Sequence, residues 1–376
     1  MDSNPHRGSA YSRLREKSRH GLSVIELLTV VSIIGLLISL VLPALQKARE
    51  SARRTQCSSN VRQVGHAMLQ FEQLKGRLPT GGKGIDLSVN PPATVFDVQS
   101  TYMQLVTYFE ESYMGSAVKH EFAYNDAAWP ANQVAARAQI TSLNCPSSAF
   151  RLADPDGYGQ TDYMPVVYTD IDPNTGTRNP AAIKVGAMAL GGLPMSKVTD
   201  GSGRTIAMLE DCGRNWEAFY PNMKSGYDDP IFSGGSAHVW DGSKQVKYTD
   251  WLKAHQLTSQ GLPAGDHPTP SGNRALNHWA EPACGGGISG QANSTPGKIL
   301  DVINGNDIPA GGPPNCPWST TNCGPNEEGW SWHPLGAHAL MCDGSARFIG
   351  KTINPVVLRK MVTPDEQLPY DDALVP

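Results

Sequence analysis

The chain has 376 residues, 39% apolar and 18% charged, with 38 glycines, 29 prolines and a net charge of −4. That length allows an anchor plus one large domain or two small ones, and the Gly/Pro content without a three-residue period excludes collagen and points to a loop-rich β body. Residues 1–21 carry Arg7, Arg13, Arg15, Lys17 and Arg19 against Asp2 and Glu16, a surplus of +3 that leaves −7 on the remainder and argues against nucleic-acid binding by the body.

After the basic leader, Leu22–Leu42 contains one ionisable residue, Glu26. Twenty-one helical residues span roughly 31 Å, the thickness of a bilayer core. The pattern continues past Pro43. Val61, Val64, Met68, Phe71 and Lys75 fall on one helical stripe with Leu74 beside it, while Lys47, Arg49, Glu50, Arg53, Arg54, Gln63 and Gln70 mark the opposite face. The spacing predicts one long helix, kinked at Pro43, half in membrane and half packed on a domain, with Gly76 as its stop.

Further helices are expected over Val98–Phe109 and Asn132–Ile140. After Thr141 the texture becomes β: short apolar runs separated by turn signals, with Asp200-Gly201 and Asp343-Gly344 placed as in hairpins. Residues 221–330 read as long surface loops. The tryptophans in and around these loops (Trp216, Trp240, Trp251, Trp279, Trp330 with Trp332) suit either loop pinning or a sugar-stacking surface. Asn354-Pro355 opens a short closing helix.

Seven cysteines occur: Cys57, Cys145, Cys212, Cys284, Cys316, Cys323 and Cys342. The odd count leaves at least one thiol unpaired in a monomer, and the lack of a Cys-x-x-Cys argues against a zinc ribbon. In an exported body the first disulfide to expect is Cys316–Cys323, although spacing does not fix connectivity.

A carboxylate inside a membrane span costs roughly 2.5–3.5 kcal/mol, so a plain anchor would not carry Glu26. A secretory signal peptide has a shorter apolar run and a small-x-small cleavage site. The residues "RHG" followed by "LSVIELLTVVSIIGLLISLVLPAL" resemble instead the leader of type IV prepilins and type II secretion pseudopilins. The resemblance implies cleavage after Gly21 by a prepilin peptidase and N-methylation of Leu22. Glu26 then stands fifth and Pro43 twenty-second in the mature chain, as that family has them. A carboxylate paired with a new ammonium is tolerable in lipid where a lone one is not. Leu22-Ser23-Val24-Ile25 replaces the commoner Phe-Thr-Leu-Ile. Lys/Arg counting favours a leader-inside orientation by only five to four, so the resemblance places the body outside.

At the far end, nine residues separate His333 from Asp343-Gly344. The pattern reads as a closing hairpin with Ala337, Ala339 and Met341 on one face and His338, Leu340 and Cys342 on the other. A metal set of His333, His338, Cys342 and Asp343 would need four residues of one strand to converge. A Ser–His–Asp hydrolase would need a Gly-x-Ser-x-Gly elbow, which the chain lacks. Taken whole, the chain resembles the prepilin-like group with an N-terminal methylation motif and a C-terminal His-x9-Asp-Gly motif, whose globular part is a bacterial domain of unknown function. "CSSNVRQVGHAMLQFE", "LNCPSS", "TDYMPVV" and "VTDGSGRTIAMLED" carry this resemblance, with Asp162 replacing an Asn and Gly203 a Ser.

Two acidic loops offer oxygen ligands for Ca²⁺: Asp154, Asp156 and Asp162, then Asp170, Asp172 and Asn174. The second departs from an EF-hand's spacing, and Asx-turns on solvated loops are the alternative reading of both. No other cofactor is implied.

The expected architecture is α+β and pilin-like, a long N-terminal helix packed on an antiparallel sheet with long loops. Its parts are a leader (1–21), a transmembrane helix (22–42), an amphipathic helix (43–75) and a β-rich body (76–376) with a loop insertion (221–330) and the His-x9-Asp-Gly hairpin (333–344). The expected role is structural rather than enzymatic: a single-pass bacterial inner-membrane subunit with its body outside the cytoplasm, in a type II secretion or type IV pilus-like apparatus. Its partners would be the peptidase, other pilin subunits and lipid. The rival expectation is an anchored module that binds carbohydrate or a solute.

Overall fold

The computed structural model describes residues 23–87, 93–109, 115–126, 128–148, 157–212, 238–240, 245–247, 278–290, 302–304 and 329–366. Gly21, Leu22, Asp154, Asp156, Cys316 and Cys323 lie outside them, as do Trp216 and Trp251. The chain divides into two compact units, residues 1–49 and 50–376.

Helix α1 covers Val24–Lys75 with Pro43 inside it. Its start is a capping box. The Ser23 N–H donates to Glu26 Oε2 at 2.8 Å and the Glu26 N–H to Ser23 Oγ at 3.3 Å, which satisfies two N-terminal donors reciprocally. It stops where expected: Gly76 takes φ +69°, the left-handed geometry that ends helices, and its N–H returns to the Glu72 carbonyl. From residue 50 on, Cys57, Asn60, Val61, Val64, Gly65, Ala67, Met68 and Phe71 are buried. The stripe is the expected one as far as Phe71; beyond it Leu74, at 71%, and Lys75 are exposed.

The main sheet runs β10-β9-β5-β3-β4, with β8 beside β3. Its strands are β3 (Tyr163–Thr169), β4 (Lys184–Val185), β5 (Ile206–Glu210), β8 (Gly286–Ile288), β9 (Gly336–Met341) and β10 (Ala346–Gly350). All its pairings are antiparallel except β3 with β8. A smaller sheet joins β1 (Lys83–Asp86), β2 (Ala93–Phe96), β6 (His238–Trp240) and β7 (Gln245–Lys247). The α+β arrangement of a long helix against an antiparallel sheet is thus the observed one.

Both faces of the central strands are covered. Val61, Val64, Met68 and Phe71 of α1 share one core with Tyr163, Val167, Met208 and Leu340. Met164, Val166, Leu209, Ala337, Ala339 and Met341 face the other way, into a core completed by Val357, Leu358, Met361 and Val362. The period-2 side-chain alternation of strands accounts for this division, and β9 follows it as its sequence predicts. In β5 a register shift between Ile206 and Met208 interrupts the alternation. Glu210 then emerges opposite Tyr163, on the α1 side of the sheet.

The helices expected over Val98–Phe109 and Asn132–Ile140 are shorter than that, while the closing helix starts where Asn354-Pro355 places it. α2 covers Thr101–Leu105, with Ser100 as its N-cap and a 3-10 turn over Val106–Tyr108. α3 covers only Pro130–Ala136. α4 covers Pro355–Val362 and is capped by Asn354, whose Oδ1 accepts the Val356 N–H at 2.9 Å. Asp200-Gly201 is a turn but not a hairpin. A 3-10 turn at Met195–Lys197 precedes it, and β5 pairs with β3 and β9 instead. Asp343-Gly344 does close the β9–β10 hairpin, and Gly344 takes φ +81°. A Cβ on Gly65 of α1 would stand 2.6 Å from the Gly344 carbonyl oxygen. Only glycine at position 65 therefore lets the helix lie this close to the turn.

Candidate functional site

In the N-terminal unit the apolar half of α1 is uncovered. Val24, Ile25, Leu27, Leu28, Ile34 and Leu40 are all about half or more exposed, and no residue of the most apolar 18-residue window is buried. Among the described residues it is the one helix long and apolar enough to cross a membrane. Its few hydroxyls are satisfied inside the helix: Thr29, Ser32 and Ser39 donate to the carbonyls of Glu26, Leu28 and Leu36. That satisfaction is what a lipid-facing helix requires. Sequence reasoning gave Glu26 the new Leu22 ammonium as partner, in its own chain or in a neighbouring subunit. The structure adds a local role, since its carboxylate caps the helix start.

In the body, the segments that carry the family resemblance meet on the α1 side of the main sheet. Cys57 of α1 and Cys145 of the "LNCPSS" segment form a disulfide across 88 residues. His333 is fully buried next to it, its Nε2 3.7 Å from Cys145 Sγ and its Nδ1 2.5 Å from Glu50 Oε1. The backbone of His333 is pinned as well. Its N–H donates to Ser331 Oγ, and its carbonyl accepts from Asn304 Nδ2 at 2.9 Å. Glu210, at the end of β5, takes both the N–H of His338 at 2.7 Å and the ring Nδ1 at 3.1 Å on Oε2. Phe348 of β10 packs edge-on against both histidine rings, and the Arg54 guanidinium lies 3.9 Å over its centroid.

Charge in this cluster is mostly negative. Burial alone would push the Glu50 carboxyl up, but hydrogen bonds and charges from His333 and Arg53 outweigh it and hold it below the ordinary glutamate range. Burial pushes the Cys212 thiol up, and the carboxylates of Asp162, Glu210 and Asp211 add to that. Tyr163 is raised for the same two reasons, burial first and Glu210 next. Asp162, once a calcium candidate, instead accepts the Cys145 N–H at 2.7 Å within this cluster.

Of the motif residues, His333 enters the cluster, while Asp343 and Gly344 form a turn at the other end of the hairpin. Asp343 Oδ1 accepts the Ser345 N–H, and the Asp343 N–H donates to the Ser202 carbonyl. Cys342 is buried apart from the histidines, packed in the main core beside Leu340. Sequence reasoning missed Glu210, Glu50 and Arg54. It placed the last two on a solvent face, yet Glu50 reaches His333 and Arg54 covers Phe348. The available signal was positional: Cys57, Cys145, Asp162, Glu210 and His333 all stand in or beside the segments of family resemblance.

The second calcium candidate is committed to its own loop. Asp170 Oδ2 accepts from Arg178 Nε at 2.8 Å, and Oδ1 from the Gly290 N–H at 3.0 Å. Asp172 accepts the N–H groups of Asn174 and Thr175 and the Asn179 amide. These bonds, that from Asn179 first, lower its carboxyl to about 2. Its share of loop stability is therefore fully present above the ordinary value of about 3.9 and lost as pH falls through about 2. An NMR titration is expected to place the Asp172 midpoint near 2, and Asn179→Ala should move it toward the ordinary value. Trp279 is fully buried, with its indole N–H on the Ala138 carbonyl at 2.9 Å, and Trp330 is 7% exposed against Trp332. These two pin loops and offer no stacking face.

A family model described as a protein of unknown function (DUF1559) matches residues 46–356. The type II secretion system core protein G of Aeromonas hydrophila is 28% identical over 87 residues, which are 23% of this chain and 61% of that protein. The chain thus spans less than two thirds of that relative's length. No solved structure matches the chain.

Proposed function

The chain belongs to the DUF1559 family of proteins of unknown function, and from that premise we propose that it is a membrane-anchored, pilin-like structural subunit. A prepilin peptidase cuts after Gly21, Leu22 is N-methylated, and the Leu22–Leu42 helix holds the subunit in the bacterial inner membrane with the body on the extracytoplasmic side. Subunits pack through these helices in a type II secretion or type IV pilus-like apparatus, Glu26 facing the amine of a neighbour. The role is assembly, not catalysis.

One observation carries the reading. α1 runs from an apolar half that no described residue buries to a half packed into the body. Apolar surface of that extent needs lipid or another helix over it. The likeness to core protein G supports the same kind of role, and the Cys57–Cys145 disulfide suits an oxidising compartment.

N-terminal sequencing and intact mass of the native protein test it. The wild type is expected to begin at methylated Leu22, and Gly21→Ala to accumulate as the uncut precursor. An identical mass and N-terminus for both would refute the leader reading. Glu26→Gln separates the two roles of that side chain, because glutamine still closes a capping box while carrying no charge. It should be cut normally and lose cross-linking between subunits through the apolar helices. Undiminished cross-linking would remove Glu26 from the assembly contact.

A further inference from the structure

The assembly reading leaves one feature of the body unused: three donors that meet on the α1 side of the sheet. His333 Nε2 lies 3.6 Å from Glu210 Oε1, and His338 Nδ1 lies 3.1 Å from Glu210 Oε2. A ligand atom from each of the three lies within 4.8 Å of the others. His333 and Glu210 are wholly buried, and His338 is 5% exposed. Glu210 Oε1 has no hydrogen-bond partner. Among the described residues no lysine or arginine pairs with Glu210, and the acids Asp162 and Asp211 lie close enough to act on the same Cys212 thiol. A buried carboxylate with an open lone pair and acidic neighbours is costly without a cation.

We propose that Glu210, His333 and His338 hold one divalent transition-metal ion, zinc by the donor set, in a buried structural site. Imidazole and carboxylate are zinc's usual nitrogen and oxygen donors. At bond lengths of about 2.0–2.2 Å, two donors of a tetrahedral site stand roughly 3.4 Å apart. The 3.6 Å between His333 Nε2 and Glu210 Oε1 is close to that spacing. Glu50 supplies the companion feature of metal-binding histidines, a carboxylate on the other ring nitrogen that fixes tautomer and orientation. The hydrogen bonds at the His333 backbone hold the ring in place. Cys57 Sγ belongs to the same group of atoms, but it is tied to Cys145, so the three side chains carry the ion and a water molecule would complete the tetrahedron on the side of the disulfide. With every member buried the ion meets no substrate. It ties β5, β9 and the segment before β9 together, and α1 joins them through Glu50 on the other nitrogen of His333.

Metal analysis of the full chain in detergent, with thiols counted in parallel, tests this. One zinc per chain with the disulfide intact is expected, and cobalt(II) in its place should show the strong ligand-field bands of a tetrahedral site. Glu210→Gln and His338→Gln should each weaken cobalt binding by at least a hundredfold. Glu50→Gln, one shell out, should weaken it by about 10–100-fold. Four results would overturn the site: less than a tenth of an equivalent of metal in folded wild-type protein, no tetrahedral cobalt spectrum, undiminished binding in folded variants, or binding only after the disulfide is reduced, which would assign the ion to thiolates. If the variants fail to fold, the wild-type stoichiometry and cobalt spectrum decide.

Discussion

Replacing Cys57 and Cys145 together by serine is expected to destabilise the body by about 4–5 kcal/mol. The bond closes 88 residues of chain, and loop-closure entropy for that length sets the magnitude. Serine keeps nearly the same volume in a fully buried place, so lost packing adds little. The bond ties α1, four turns beyond Pro43, to the segment that enters the main sheet at Tyr163. Without it, the unfolded chain gains freedom and the helix loses its side-chain cross-link to the body. Urea unfolding followed by near-ultraviolet circular dichroism measures the effect. The midpoint should fall while the slope holds, because the surface exposed on unfolding changes little. Reducing the wild-type protein should reproduce the shift. An unchanged midpoint in the double serine variant would mean that the helix is held by packing alone.

This pairing could not be read from sequence, and the reason is general. Periodicity reports which face of one element is buried, so the α1 stripe, the Ala337/His338 alternation and the Asn354-Pro355 helix start were all legible. None of those signals says which elements meet. Cys57 and Cys145 stand in unlike contexts, one on a helix and one after a 3-10 turn, and nothing local links them. The expected Cys316–Cys323 pair falls outside the described residues. Glu210 was hidden for a different reason. The register shift in β5 decides which face it takes, and a shift of that kind leaves no mark in a five-residue run such as Ile206–Glu210. Glu50 and Arg54 were read as solvated because they sit off the apolar stripe of α1. Each becomes half-buried only because the histidine and the phenylalanine of a hairpin almost three hundred residues away rise beside the helix.

The metal reading illustrates the same limit. From the sequence, a set on one strand had to be dismissed, because neighbours on a strand alternate between faces and four of them do not converge. That reasoning holds for Cys342 and Asp343, which the fold keeps apart from His333. It does not reach Glu210, which lies on another strand and was not considered. Donors from different segments give a site no spacing that a motif could encode.

His333→Ala is expected to cost about 3–5 kcal/mol, the second large effect. The side chain is fully buried, so its removal leaves a cavity and takes one partner from each of two carboxylates, while Glu50 keeps Arg53 and Glu210 keeps His338. Breaking a buried pair by deleting one partner is expensive because the other charge keeps its desolvation penalty and loses its compensation. Glu50→Gln should cost less, about 1–2 kcal/mol, since Glu50 is 23% exposed and water can serve it when the partner is gone. The double variant is the informative one. If the His333–Glu50 bond is what each single change removes, the combined loss should fall short of the sum by about 1–3 kcal/mol. Full additivity would show that the two side chains act separately, and that the shortest polar contact in the cluster contributes nothing to holding α1 on the hairpin. The shortfall can be read from the same urea unfolding curves. It would give the histidine of His-x9-Asp-Gly a definite role in fastening α1 to the last hairpin of the body, while Gly344 at the motif's other end lets Gly65 of the same helix come into contact.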